Sequence, residues 1–332
     1  MTLSEQAIIR IIRQTARTRP TKTLRLGIGD DCAILAPPPG HEILVTTDLS
    51  LESRHFRRDW HTPQVSGQSA GHRCLARGLS DLAAMGAKPL AAFLSLALPP
   101  GFDPKWLDRF LAGLLALATL HAVPLAGGDT AQAPGEHILA DIVLLGSAPA
   151  GRALRRSTAR PGDRLFVSGA LGGAAAELET LAQRTRPSRT RGPQTFPEPR
   201  LALGQALLRR RLASACIDLS DGLSTDLTHL CQASGVQAIL HAESLPLHPL
   251  ASGRLALALH GGEDYELLFT APPSAKLPRT LAGVPLTEIG RITRRSLRRP
   301  VITLESATGS QLLEPAGWEH FRSRTPGAPP SK

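Results

Sequence analysis

The sequence predicts a mixed α/β protein of two domains, and three observations carry that expectation. At 332 residues the chain is longer than one ordinary core requires. Strand-like and helix-like segments alternate through its first half, each closed by a short polar turn, and the second half repeats the style. Between Gly146 and Pro161 a basic connector containing Ala and Gly interrupts the alternation. The expected domains are therefore residues 1–150 and 151–322. The last ten residues, SRTPGAPPSK, have no apolar face and are expected to form a disordered tail, 323–332. Periodicity does not set the strand order.

In chain order, Thr2 and Glu5 read as a capping box that opens an amphipathic helix. Ile43–Thr47 is a β-branched run expected to stop at Asp48, and Ala92–Leu98 is an apolar strand closed by Pro99, Pro100 and Gly101. Asp103 is a natural N-cap with Pro104 at the first helical position, and Leu107, Phe110, Leu111, Leu114, Leu115 and Ala118 recur at helical spacing. A short segment then reaches Gly127-Gly128-Asp129-Thr130, and Ile138–Leu145 reads as another strand. Asp163–Val167 opens the second half with a strand. The glycine-containing stretch Ser168–Gly173 that follows is either a phosphate cradle or an ordinary turn. Arg184–Arg200 is rich in Pro and Arg, lacks periodicity and is expected to be a surface loop.

Composition excludes several classes. The N-terminus has no apolar core beside a small-residue cleavage site, and the most apolar helix-like run, Leu107–Leu120, falls short of the ~20 residues needed to span a bilayer. A cytoplasmic protein without membrane partners is expected. Cys32, Cys74, Cys216 and Cys231 lie far apart, with no spacing suited to a zinc site or a disulfide framework, and are expected to be reduced and buried. The formal charge of +10 would attract nucleic acid, but the arginines cluster in segments that look peripheral and only 4% of residues are aromatic, leaving little to stack on bases. A nucleic-acid partner is not expected, although a basic binding protein with structural acidic turns is the alternative from another class.

The aspartates carry the chemistry. Eight of the fourteen fall in six short segments: Asp30 and Asp31 in GIGDDC, Asp48 in TTD, Asp81 in LSDLAAMGA, Asp129 in GGDT, Asp218 and Asp221 in IDLSDGL, and Asp264 in GGEDYEL. Carboxylates that converge raise one another's pKa unless cations hold them ionised. Each alone could cap a helix or shape a turn. Together, with no accompanying Cys or paired His ligands, they favour a hard oxygen-loving ion such as magnesium carried by substrate phosphates. The sequence contains neither a G-x-x-x-x-G-K-[ST] loop nor an H-R-D and D-F-G pair, so neither of the common kinase frames is present.

The ordered series GIGDDCA, TTD with His55-Phe56 seven residues on, LSDLAAMGAKP, GGDT, GRALRRSTARPGD, IDLSDGLSTDLTHL, GGEDYELLFT and GWEHF, spanning about Leu26 to Phe321, resembles the thiamine-monophosphate kinases. That family shares its acidic turns with aminoimidazole ribonucleotide synthetase and selenophosphate synthetase, and another ATP-dependent synthetase of this superfamily is the nearer alternative. The resemblance implies two α/β domains of the aminoimidazole ribonucleotide synthetase-like fold, with N-terminal domains pairing in a homodimer. It implies ATP as co-substrate, several magnesium ions, thiamine monophosphate as acceptor, and direct transfer without a catalytic nucleophile.

By the same resemblance, Asp31, Thr46, Thr47, Asp48, Asp81, Asp129, Asp218 and Asp221 would hold magnesium. Gly128, Asp129, Arg156 and Ser220 would touch ATP, and His55, Glu263 and Trp318 would hold the thiamine compound. Two departures flank matched positions. Ser53 stands where the family usually has glycine in D-x-L-V-E-G-x-H-F, and Arg77-Gly78 replaces the more usual Val-Asn before Leu79-Ser80-Asp81.

Overall fold

The computed structural model describes residues 4–318 apart from 185, 188, 190 and 297–300. They form two compact units. Unit 1 comprises Met1–Leu82, Ala87–Gly151 and Leu181–Phe196; unit 2 comprises Ala83–Gly86, Arg152–Thr180 and Pro197–Lys332. The expected tail, 323–332, and Thr2 of the expected capping box lie outside the described residues.

Unit 1 contains α1 (Glu5–Ala16), β1 (Leu24–Leu26), β2 (Ile34–Leu35), β3 (His41–Leu51), α2 (Pro63–Ala84), β4 (Lys88–Leu98), α3 (Pro104–Leu120), β5 (Leu125–Gln132) and β6 (Leu139–Pro149). Its main sheet runs β3-β6-β4-β5, with β4 and β5 parallel and the other pairs antiparallel. The hydroxyl of Ser4 caps α1, accepting the Ala7 N–H at 3.3 Å. Helix α3 begins as its sequence reads: an Asp103 carboxylate oxygen accepts the Lys105 N–H at 3.0 Å, and Pro104 fills the first turn, where no donor is needed. It buries Leu107, Phe110, Leu111 and Leu114 completely.

Helices α2 and α3 cross at backbone contact. A Cβ at Gly71 would stand 1.9 Å from the Phe110 carbonyl oxygen, and one at Gly113 would stand 2.0 Å from that of Gln68. Only glycine permits this approach.

Three expectations need correction in unit 1. The β-branched run does not stop at Asp48; β3 continues to Leu51, because β6 supplies a partner along its whole length, Ile142 opposite Asp48 and Leu139 opposite Leu51. Gly127–Thr130 is likewise strand, paired with β4 from Phe93 to Leu96. The Arg- and Pro-rich segment is not wholly a surface loop. Gln194 and Thr195 are buried, Ser69 of α2 donates to the Thr195 carbonyl at 2.8 Å, and Phe196 lies edge-on to His72 with the Arg191 guanidinium 3.8 Å above its ring. Its one aromatic residue anchors it, a signal that the surrounding arginines mask.

Unit 2 contains β7 (Arg164–Ser168), α4 (Gly173–Gln183), α5 (Leu201–Arg209), β8 (Ala215–Asp218), α6 (Leu223–Ser234), β9 (Val236–His241), α7 (Leu255–His260), β10 (Leu267–Ala271), β11 (Thr280–Leu281), β12 (Val284–Arg294), β13 (Ile302–Ser306) and β14 (Gly309–Leu312). The sheet order is β14-β13-β9-β12-β7-β10-β8, with β11 paired to β12; only β9 and β13 run parallel. Leu165, Val167, Leu227, Leu230, Leu268, Ile289 and Ile302 form one core between sheet and helices.

Cys74, Cys216 and Cys231 are buried as expected, and burial pushes the thiols of Cys74 and Cys231 up to about 12, leaving them unreactive. Cys32 is exposed instead, because the turn that carries it opens into a cavity. Among the described residues no helix is long and apolar enough to cross a membrane.

Candidate active site

In unit 1 two glycine-aspartate segments, one a turn and one a strand, wall one cavity of about 800 Å³. Gly27–Ala33, between β1 and β2, forms one side, and Gly127–Thr130 on β5 forms another, with Arg13 of α1 at the rim. The Asp31 N–H donates to an Asp30 carboxylate oxygen at 2.9 Å, and the Thr130 N–H to one of Asp129 at 2.8 Å. Asp31 and Asp129 remain exposed. Gly128 has φ 148°, and a Cβ there would stand 1.8 Å from the Leu94 carbonyl oxygen, so the strand can open a turn without leaving the sheet only with glycine at this position.

A second acidic group of unit 1 lies where β3 faces α2. The Thr46 hydroxyl donates to Asp81 in a short hydrogen bond, and the Arg77 Nε and Nη2 donate to one Asp48 oxygen at 3.1 and 2.9 Å. Thr47, on the opposite face of β3, is exposed. Burial, with Asp48 adding to it, pushes the Asp141 carboxyl above its ordinary value. His55 is only 8% exposed; its Nδ1 accepts the Leu51 N–H at 3.0 Å and its carbonyl accepts from Arg73 at 2.9 Å. Ser53 beside it sits at φ 67°, the left-handed region, which accounts for the family's glycine at that position.

In unit 2 Asp218 ends β8 and is buried. Asp226, which sequence reasoning did not single out, closes the next turn: one of its oxygens accepts the N–H groups of Asp221 and Gly222 at 3.1 and 3.0 Å. Its signal was present as the acidic residue in the first turn of α6. Burial, then the neighbouring Asp218 and Asp221, push its carboxyl well above the ordinary range.

Glu263 and Tyr265 have φ of 67° and 50°, held there by amide bonds to the Ser220 and Leu219 carbonyls at 2.8 and 2.9 Å. Asp264, between them, accepts the N–H groups of Gly172 and Ala174 at 2.8 and 3.2 Å. Asp264 thus takes the amides at the start of α4, while those of Gly169 and Leu171 go to the Pro285 and Pro246 carbonyls, which makes this stretch a capped helix start. The Trp318 N–H donates to the Asp221 carbonyl at 3.0 Å, tying the C-terminal motif to the aspartate turn; the remainder of GWEHF, 319–321, lies outside the described residues. Arg156 is exposed, and its carbonyl accepts the Ser234 hydroxyl at 2.8 Å.

Of the residues expected at the site, the structure brings Asp31, Gly128 and Asp129 to one cavity, puts Thr46 against Asp81, and gathers Asp218, Ser220, Asp221, Glu263 and Trp318 around the turn after β8. His55 lines a different, small cavity with Trp60, His61 and Arg73.

The donors are oxygens throughout, the chemistry of a hard divalent ion. Among the described residues no three His, Cys, Asp or Glu side chains gather around one point. Each turn offers one or two carboxylates, the number magnesium takes when phosphate and water complete its shell. The residues present fit that ion, and at Asp48 one of the two oxygens is already bonded by Arg77.

The family models for the N-terminal and C-terminal domains of AIR synthase related proteins match residues 29–148 and 160–301. The chain is 40% identical over 301 residues to the thiamine-monophosphate kinase of Salmonella typhimurium, covering 85% of this chain and 89% of that protein. The chain belongs to the thiamine-monophosphate kinase family. The Bacillus subtilis enzyme of that name is 30% identical over 325 residues, covering 93% and 97% of the two chains. Among solved structures, the thiamine-monophosphate kinase of Stenotrophomonas maltophilia K279a has a TM-score of 0.75 at 36% identity, over 92% of this chain and 98% of that one. A structure described as AaThiL complexed with AMPPCP and TMP has a TM-score of 0.73 at 30% identity, over 96% and 97%. Hydrogenase maturation protein HypE, at 16% identity and a TM-score of 0.77, shares the fold.

Proposed function

We propose that the chain transfers the terminal phosphoryl group of ATP to the phosphate of thiamine monophosphate, giving thiamine diphosphate. The observation that carries this reading is the relation to thiamine-monophosphate kinases along nearly the whole chain, with the two glycine-aspartate segments of unit 1 opening on a cavity large enough for a nucleotide.

The acceptor is a phosphate monoester whose second pKa, near ~6, leaves it largely dianionic at neutral pH, so no side chain need remove a proton. The obstacle is charge. Two unit charges ~4 Å apart repel by about 4 kcal/mol at an effective dielectric near 20, and a dianion approaching a triphosphate multiplies such pairs. Magnesium, when bound, would neutralise the phosphate oxygens.

In unit 1, Asp31, Thr46, Asp81 and Asp129 are proposed to hold it, Thr47 joining through its main chain only, since its side chain lies on the outer face of β3, with Gly128 presenting its backbone to the nucleotide. In unit 2, Asp218 and Asp221 are proposed for the same role, Arg156 and Ser220 for ATP, and Glu263 and Trp318 for the thiamine moiety. The strained φ of Glu263 supports a positioning role, since such backbone persists where surrounding bonds over-determine it. His55, buried and bonded to β3 in its own small cavity, is also proposed for the thiamine compound. A cytoplasmic location is part of the same proposal.

The deciding experiment offers purified protein, ATP and magnesium either thiamine monophosphate or thiamine, and detects the diphosphate directly. Turnover of the monophosphate alone is expected. Equal turnover of thiamine would point to a hydroxyl kinase with a true general base and overturn the reading.

A further inference from the structure

The departure at Arg77-Gly78 falls on the acidic group between β3 and α2. Family resemblance places Asp48 among the magnesium ligands, yet here its Oδ1 accepts two hydrogen bonds from the Arg77 guanidinium, at 3.1 and 2.9 Å. The pair is well shielded, with side-chain exposures of 16% for Arg77 and 21% for Asp48. Beside Arg77 on α2, Gly78 packs against β6: a Cβ there would stand 2.5 Å from the Leu144 Cδ1, the end of a side chain that can turn aside, so glycine eases the packing without being required for it. Around the pair are the carboxylates of Asp81, bonded to Thr46, and Asp141. A guanidinium is always charged, and it competes with a divalent ion for the same oxygen lone pairs.

We propose that Arg77 is a resident counter-charge that takes Asp48 out of the metal-binding set, so that this chain holds one divalent ion fewer than the same site with an uncharged residue at 77. Arg77 is a positioning residue: from α2 it fixes the Asp48 carboxylate of β3 and supplies permanently a positive charge that a dissociable ion would otherwise bring. The inference rests on the proposed function only in taking the remaining acidic residues to bind divalent ions.

The test counts bound Mn2+, a paramagnetic substitute for magnesium, by electron paramagnetic resonance in the presence of a non-hydrolysable ATP analogue. It uses the full chain, Arg77→Met, Asp48→Asn and the double variant, each with its thermal midpoint measured as a control for folding. Arg77→Met should bind one additional Mn2+ per chain, or bind its weakest ion at least tenfold more tightly. Asp48→Asn alone should leave the titration of the parent unchanged, and in the Arg77→Met background it should abolish the gain. Identical titrations for the parent and Arg77→Met would overturn the proposal, as would weaker Mn2+ binding by Asp48→Asn alone, while both leave the metal reading of the other aspartates intact. Absence of any analogue-dependent Mn2+ binding by the parent would instead overturn the metal reading and this inference with it. Arg77→Lys, which keeps the charge, gives a second check: it should behave like the parent if charge at this point is what matters.

Discussion

Ser53 shows how one atom separates a tolerated residue from a fitting one. At φ 67° its Cβ crowds the backbone, a strain that glycine lacks. Ser53→Gly is expected to stabilise the protein by about 0.5–1 kcal/mol, less what glycine adds to the entropy of the unfolded chain, measured as a shift in urea midpoint at constant slope. A midpoint that falls would mean the serine side chain contributes more than its backbone costs.

Asp226 titrates in the opposite sense from a paired carboxylate. Because burial and two neighbouring aspartates raise its value in the folded chain, folding takes up a proton between the ordinary and the raised value, and stability falls as pH rises through that window. Asp226→Asn keeps an acceptor for the two amides and removes the titration. In metal-free protein the decline in thermal midpoint as pH rises above the ordinary carboxylate range should therefore shrink. An unchanged decline would place its cause elsewhere.

The proposed ligands behave differently again. Asp31→Asn, Asp129→Asn and Asp218→Asn should each lower magnesium-dependent turnover by about a hundredfold or more, with apo stability level or higher. Near-normal activity with a lowered midpoint in all three would reduce these residues to turn formers.

At the scale of elements, the α2–α3 crossing depends on absent side chains. Gly113→Ala would push a methyl group into the Gln68 carbonyl, and a forced separation of two packed helices is expected to cost about 1–3 kcal/mol, or more if the backbone cannot shift. Chemical denaturation measures it; a loss under about 0.5 kcal/mol would mean that the helices slide freely.

Elements built on local signals were the legible ones. Asp103 and Pro104 announced α3, and the β-branched residues of β3 announced a strand. The end of β3 was not legible, because its partner β6 sets the length through hydrogen bonds between residues almost a hundred positions apart. Nor could the sequence reveal that Asp264 caps α4 from ninety residues away, closing a glycine-rich stretch that by itself reads equally as a phosphate cradle.

For the whole molecule, two α/β units and the order of the acidic turns were readable, since each motif carries its own composition. Which motifs share a cavity was not, because that depends on strand order. The pairing of two chains is a proposal at this scale. On the outer face of β3, Ile43, Val45 and Leu49 are 40%, 62% and 55% exposed, an apolar row that suits a second copy of this chain. Sedimentation equilibrium should find a dimer, and Val45→Glu with Leu49→Asp should yield monomers. Parent protein that sediments as a monomer at micromolar concentration would remove the proposal.

The same strand has a bearing on handling and expression. β3 is an eleven-residue edge strand of its sheet, and an edge strand turns one margin of its backbone, here beside those apolar side chains, away from the ladder. A chain that meets no partner therefore carries a template for indiscriminate strand addition. Loss by aggregation should be worst where dimer formation is blocked at high chain concentration, and a lysine substituted for Val45 should reduce it even though the core is untouched.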